Sequence, residues 1–269
     1  MRPLAIAIAF TAAAIGFGQT EMVGKDLFPQ FRNLGGLPGN MIPVGPDGTP
    51  SYAGALSLST PTAYTLSGWH GIAGYGSMSF DMRFRWPRGR EGQKTTNGTA
   101  QFMLGTSAGN LGTVSGGFMV LSNLGDNAFN LQWSPGRQVG KSRYAIGVQD
   151  LNGGGGSAGE GQPTDGDSSR SFYGVTTYQI DDKTHVSVGT GTRRFKGVFG
   201  NISTTVMPNL KACLEYDTFN WNVGVSYRMF ALQRMRGESY DSAARYAEVH
   251  AFLGVVRGKY LMWGLGVSF

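Results

Sequence analysis

Residues 260–269 read Tyr260-Leu261-Met262-Trp263-Gly264-Leu265-Gly266-Val267-Ser268-Phe269, an unbroken alternation that stops on an aromatic side chain. A strand sends successive side chains to opposite faces. Leu261, Trp263, Leu265, Val267 and Phe269 therefore share one face, and Tyr260, Met262, Gly264, Gly266 and Ser268 share the other. The first face is apolar; the second is mostly small or polar.

The same dyad recurs upstream. Met78, Phe80, Met82, Phe84 and Trp86 oppose Ser79, Asp81, Arg83 and Arg85, and Phe129, Leu131 and Trp133 oppose Asn130, Gln132 and Ser134. Tyr144, Ile146 and Val148 oppose Arg143, Ala145, Gly147 and Gln149. Leu210, Ala212, Leu214 and Tyr216 oppose Lys211, Cys213, Glu215 and Asp217, while Trp221, Val223, Val225 and Tyr227 oppose Asn222, Gly224, Ser226 and Arg228. Charges collect on the face opposite the large apolar residues. A soluble sandwich turns its polar face outward, whereas a transmembrane barrel turns its apolar face to lipid and its polar face to the lumen. Alternation by itself does not separate the two.

The N-terminus and the composition favour the barrel. Met1-Arg2-Pro3, the apolar run from Leu4 to Ile15 and the small residues near Gly16-Phe17-Gly18 read as a secretory signal over 1–18. No later window is apolar for about 18 residues, so a membrane location requires a closed barrel. The 43 glycines among 269 residues are interleaved with Tyr, Phe, Trp and Val at strand spacing, which suits a barrel wall better than a disordered chain. Cys213 is the one cysteine, which excludes an internal disulfide and any cysteine-built metal site. The net charge of +6 is spread along the chain. That spread argues against nucleic acid and allows anionic partners such as anionic solutes or polysaccharide.

The pattern Gly264-x-x-Val267-x-Phe269 resembles the C-terminal signal of bacterial outer-membrane β-barrels. The resemblance implies recognition by the barrel-assembly machinery, insertion among outer-membrane lipids, and Phe269 at the periplasmic end. The expected fold is all-β, an antiparallel transmembrane β-barrel of 12–14 strands with long extracellular loops. Turn signals divide 51–269 into fourteen candidate strands, the first three at 51–59, 63–74 and 78–86. Asn110-Leu111-Gly112, Asp181-Asp182-Lys183 and Met207-Pro208-Asn209 become periplasmic turns, and the polar loops 87–98 and 151–170 become external. The segment 231–245 is too long for a turn of that set and reads as a short helix or a misplaced strand. Residues 19–50, rich in Gly and Pro, fit either a periplasmic arm or a plug in the lumen.

A second likeness covers the C-terminal part. Lys196-Gly197-Val198-Phe199-Gly200 leads through Leu214-Glu215-Tyr216-Asp217 to Asn220-Trp221-Asn222-Val223-Gly224-Val225-Ser226-Tyr227-Arg228. This resembles the repeated hairpin of YjbH-like outer-membrane proteins linked to exopolysaccharide production. It implies a cell-envelope barrel associated with polysaccharide secretion. Gly200-Asn201 stands where that family has a double glycine, and the chain is much shorter than its large members.

Two residue sets carry candidate chemistry. By parity Arg83, Arg85, Arg143, Arg193, Lys211, Glu215, Asp217 and Arg228 line the lumen; an open lumen of this kind favours anions, and a filled one uses them as salt-bridge partners. The need to neutralise buried charge favours pairing of Glu215 and Asp217 with Lys211 or Arg228. His185 and Ser187 share a face at the His-x-Ser spacing that resembles lipid A deacylases, where imidazole activates the serine, though no acid is placed to orient the histidine. No cofactor is called for, and His70 and His250 lack partners at metal-ligand spacing. The expected role is therefore a non-enzymatic channel or envelope component, assisting exopolysaccharide export. The alternatives are a lipid-modifying hydrolase using His185 and Ser187, and a secreted β-sandwich adhesin.

Overall fold

The computed structural model describes residues 35–79, 98–120, 127–136, 139–153, 170–233, 246–256, 258 and 260–269. Twelve strands run in chain order: β1 (Gly71–Ser79), β2 (Gly98–Ser107), β3 (Thr113–Val120), β4 (Asn127–Ser134), β5 (Ser142–Gln149), β6 (Ser171–Gln179), β7 (Thr184–Gly191), β8 (Gly197–Met207), β9 (Leu210–Tyr216), β10 (Trp221–Gln233), β11 (Tyr246–Val256) and β12 (Tyr260–Ser268). Each pairs antiparallel with its chain neighbours. β1 pairs with β12 from Ile72↔Ser268 to Ser79↔Leu261 and closes the barrel. Closure removes every sheet edge, so the backbone of the wall is satisfied within the sheet.

The alternation sorts side chains as a membrane wall requires. Phe129, Leu131 and Trp133 are exposed outward, while Asn130, Gln132 and Ser134 between them are buried inward. Large apolar side chains are exposed around the outside from β2 to β8 and again from β10 to β12, among them Phe102, Phe118, Ile146, Phe172, Val188, Val198, Leu253 and Leu265. A belt of that extent is stable against lipid and not against water. Aromatic rings mark its margins. Tyr216 and Trp221 pack at 5.3 Å toward one end, and Trp133 at the other donates its Nε1–H to the Leu111 carbonyl at 2.8 Å. Beyond the last strand, Phe269 exchanges both backbone hydrogen bonds with Gly71 and stacks on Phe102 at 6.2 Å. The side chain that ends the alternation thus covers the seam of the barrel.

The turns 108–112, 180–183 and 208–209 lie at the Phe269 end, and the strand ends Ser79, Gly98, Gln149 and Ser171, which flank the two longest intervals between strands, lie at the opposite end. The stretch at 231–245 begins as the continuation of β10, which runs to Gln233; 234–245 lies outside the described residues.

The wall starts later than the alternation suggests. Residues 51–59 and 63–70 are not wall strands: β1 begins at Gly71, and residues 54–66 are buried at both parities. A wall strand always leaves one face outward. These residues instead continue the N-terminal segment, so that 35–70 is a single irregular stretch lying inside the barrel, and the strand number is twelve. Asn40 to Ser57, and Val44 to Pro50 and Ala55, form its only isolated bridges among the described residues.

Two apolar clusters seat it. Met41, Ile42, Leu56, Leu58 and Leu66 pack on Ile72, Met103, Met119, Phe252, Val256 and Met262 of the wall. Leu37 and Ala63 pack on Ala145, Tyr173, Val175, Phe195 and Phe199. Wall glycines permit the approach: a Cβ on Gly105 would overlap the Leu66 carbonyl. Replacement Gly105→Ile is expected to destabilise the refolded protein by about 1–3 kcal/mol, whereas Gly116→Ala, where a Cβ meets nothing within 4 Å, should stay within about 0.5 kcal/mol of wild type. Urea unfolding in lipid bilayers, followed by tryptophan fluorescence, makes the comparison.

Candidate functional site

The irregular segment 35–70 has few strand partners, so its buried N–H and C=O groups need partners from the wall. Glu215 supplies the largest share. It projects inward from β9, is fully buried, and accepts hydrogen bonds from the backbone N–H of Leu58 at 2.9 Å, Ser59 at 3.1 Å and Thr60 at 3.0 Å. The Ser59 and Thr60 hydroxyls each donate to it at 2.8 Å, and Asn222 Nδ2 donates at 3.0 Å. Three successive N–H groups converging on a carboxylate form an anion nest, in which each bond is charge-assisted. Arg194 completes the clamp from the next loop, donating Nη2–H to the Ser59 carbonyl at 2.9 Å.

Other inward side chains, most of them neutral, hold the remainder. Gln132 Nε2 donates to the Thr62 carbonyl at 3.0 Å and to Thr65 Oγ1 at 2.9 Å. Thr177 Oγ1 accepts from Ala63 N–H at 2.8 Å, Ser203 Oγ accepts from Leu56 N–H at 3.1 Å, and Asn130 Nδ2 donates to the Gly36 carbonyl at 2.8 Å. Near the Phe269 end, Tyr52 bonds Ser226 Oγ at 3.0 Å and His250 Nδ1 at 3.2 Å. Arg143 donates to the Pro46 carbonyl at 2.8 Å. Burial pushes the hydroxyls of Tyr52 and Tyr64 up to about 12, so both remain neutral at any physiological pH. Beside Arg143 a cleft of about 200 Å³, lined by Pro46, Asp47, Tyr64, Thr65 and Ser134, opens at this end.

The predicted lumen residues divide. Arg143, Lys211, Glu215 and Arg228 lie on the inner face and touch the segment directly, Arg228 with its guanidinium 5.8 Å from the Tyr52 ring centre. Asp217 sits just beyond β9, where it accepts from the Phe219 and Asn220 N–H groups and from Asn222. Arg193 is not on the wall: it starts the 3₁₀ turn Arg193–Phe195 with φ of 48°, and that turn presents the buried Arg194 to the lumen instead. Arg83 and Arg85 lie outside the described residues.

The pairing expected for Glu215 is replaced by bonds to the segment. Arg228 takes Glu248 as its ion-pair partner at 2.7 Å, and Lys211 Nζ donates to the carbonyls of Lys183 at 2.9 Å and Tyr52 at 3.4 Å and to Thr205 Oγ1 at 3.1 Å. Arg194, Glu248 and the amides Asn130, Gln132, Asn222, Gln149, which donates to the Gly35 carbonyl, and Asn201, which donates to Thr60 Oγ1, were not singled out by the sequence reading. Strand parity places most of them inward; only the need of a buried irregular chain for hydrogen-bond partners marks Arg194 and the amides as a site.

His185 and Ser187 both face the lumen and are fully buried, yet they do not form a catalytic pair. Ser187 Oγ bonds Thr177 Oγ1 at 2.9 Å, and neither ring nitrogen of His185 has a hydrogen-bond partner among the described residues. The nearest acid in sequence, Asp181, is in the exposed 180–183 turn, its carboxyl held low by the Lys183 and Thr184 N–H groups. In the assembly pattern, Gly264 faces Met41 inside, and Phe269 packs at the seam.

No family model matches the chain, and no curated protein does. Among solved structures it is similar to a KdgM porin at 13% identity and a TM-score of 0.44, covering 74% of this chain and 98% of that one. Omp33 of Acinetobacter baumannii is similar at 10% identity and 0.39, covering 75% and 97%, and a NanC porin at 9% and 0.39, covering 74% and 98%. These likenesses are low, and the fold rests on the closed strand pairing described above. Fold and outer belt together make the chain an outer-membrane-type β-barrel, its lumen occupied by its own residues 35–70.

Glu215→Gln keeps the size but removes the charge and half of the acceptor capacity. Hydrogen bonds to charged groups contribute about 1.5–3 kcal/mol each, so protection of the Leu58, Ser59 and Thr60 amides against hydrogen exchange should fall by at least about tenfold. Amide exchange of the refolded protein read by mass spectrometry reports it. Unchanged protection would remove Glu215 as the anchor.

Proposed function

We propose that this chain is a non-enzymatic channel of the bacterial outer membrane, kept closed by residues 35–70 acting as a plug. The observation that carries the reading is the way the plug is held. Inside the lumen it is fixed by side-chain hydrogen bonds and apolar packing rather than by strand pairing with the wall, and such contacts open and re-form without unfolding the barrel. Outer-membrane lipids surround the belt, and the assembly machinery reads Gly264, Val267 and Phe269. With the plug displaced, Arg143, Arg194 and Lys211 would line the passage against Glu215 and Asp217, which favours anions modestly.

The exopolysaccharide role implied by the hairpin resemblance would use the same gate. The resembling stretch, 196–228, spans β8 to β10 and carries Glu215 and Asn222. A polymer in transit would therefore have to displace Leu58–Thr60 from that carboxylate.

Planar-bilayer recording of the refolded full chain tests the channel. Wild type is expected to be closed most of the time, and Glu215→Gln to open in discrete steps at least about tenfold more often, the counterpart of a loss of about 1.4 kcal/mol, with a preference for anions. A variant that inserts, shows heat-modifiable mobility and has lost amide protection at 58–60, yet passes no current, would overturn the channel reading and leave a structural barrel.

A further inference from the structure

The chain has three histidines, and the two on the barrel wall each sit under a tyrosine of the plug. Their surroundings differ. His250 stacks on Tyr52 with ring centres 5.8 Å apart; its Nδ1 meets the Tyr52 hydroxyl at 3.2 Å and its Nε2 meets Ser268 Oγ at 2.9 Å. Glu248 lies 4.0 Å from the same Nε2, and Arg228 is the neighbouring cation. A second proton on His250 finds oxygen acceptors already in place. His70, partly exposed at the foot of the plug, donates Nδ1–H to the Ser67 carbonyl at 2.7 Å.

His185 has none of this. It is fully buried, Tyr64 lies across it in an edge-to-face contact at 5.5 Å, and both ring nitrogens lack partners among the described residues. Its register neighbours are Gln179 on β6 and Ser203 on β8, and Ser203 is engaged by the plug at Leu56. The charged groups that act on it are Lys211 from β9 and Asp181 from the 180–183 turn; Asp181 is exposed and its carboxylate is already bonded to two backbone N–H groups. Tyr64 is neutral throughout the relevant range.

We propose that His185 is an acid-operated release for the plug: protonation of its ring creates a cation with two unsatisfied N–H donors beside Lys211, and the plug segment around Tyr64 leaves so that water reaches the ring. The inference rests on the reading of 35–70 as a gate. A buried charge without partners is among the costliest arrangements in a protein interior, and the cover over His185 that does not belong to the wall is the plug, at Tyr64. The sign follows from proton linkage. The released state binds a proton that the plugged state excludes, so release grows as pH falls below about 6.5, the ordinary value for an exposed histidine, by up to about tenfold per pH unit for one linked proton. The plugged state keeps its full stability above that pH.

Hydrogen exchange of the plug amides at 56–66 in the full refolded chain, between pH 7.5 and 5.5 and corrected for intrinsic exchange, tests this without requiring conductance. Wild type is expected to lose protection about tenfold between pH 7.5 and 5.5, most of it below pH 6.5. His185→Phe, which preserves the ring contact with Tyr64, should show no pH-dependent loss, and His185→Gln serves as a second variant if Phe impairs folding. His250→Gln should retain the wild-type profile. The same loss of protection in both His185 variants, or its absence in wild type, would overturn the inference. Loss of protection at acid pH without current would leave the inference standing and defeat only the channel reading.

Discussion

A buried irregular backbone cannot leave its polar groups unpaired, and that constraint organises this molecule. The wall satisfies itself by closing twelve strands into a ring. The plug pairs part of its backbone within its own turns and bridges, and groups left over, such as the N–H of Leu58, Ser59, Thr60 and Ala63, turn to the wall. Along 35–70 inward side chains therefore donate or accept at successive points: Asn130 and Gln132 from β4, Thr177 from β6, Ser203 from β8, Glu215 from β9. The lumen is polar where the plug backbone needs partners and apolar where plug side chains press on Met103, Met119, Met262 and Phe252. Methionine, unbranched and polarizable, fills the irregular gaps such an interface leaves.

The electrostatics follow the same logic. A barrel with an open aqueous lumen keeps its inward charges solvated. Here Glu215 is buried completely and is balanced by the plug's own N–H dipoles, while the nearby cations are spent elsewhere: Arg194 on a plug carbonyl, Lys211 on two carbonyls and a hydroxyl, Arg228 on Glu248. The plug is thus part of the electrostatic solution of the folded lumen.

Much of this was legible in the amino-acid sequence. The dyad at 260–269 and the apolar outward set on β4, β5 and β10 followed from period-two patterning, since side-chain parity is a hard geometric consequence of extended backbone. Residues 51–70 were misread because Leu56, Leu58, Tyr64 and Leu66 also alternate, but here the alternation serves packing inside the barrel rather than a lipid face. Pro50, Gly54 and Pro61 interrupt that stretch and were the available warning. Arg193 was misplaced by one residue for a local reason: the 3₁₀ turn after β7 abandons strand parity, so Arg194 takes the inward position. The role of Glu215 was invisible to pairwise charge reasoning, because its partners are backbone N–H groups about 155 residues away, and nothing in composition announces a main-chain nest.

Residues 35–70 lie inside the barrel and are gripped there by the wall. Nuclear Overhauser contacts in the refolded, isotope-labelled protein in lipid nanodiscs at neutral pH measure this directly. The account predicts cross-peaks between the Tyr64 and His185 rings, and from the Leu56 and Ala63 amides to the side chains of Ser203 and Thr177. A folded barrel lacking these contacts, with the His185 ring and the Gln132 amide giving exchange peaks to bulk water instead, would contradict it.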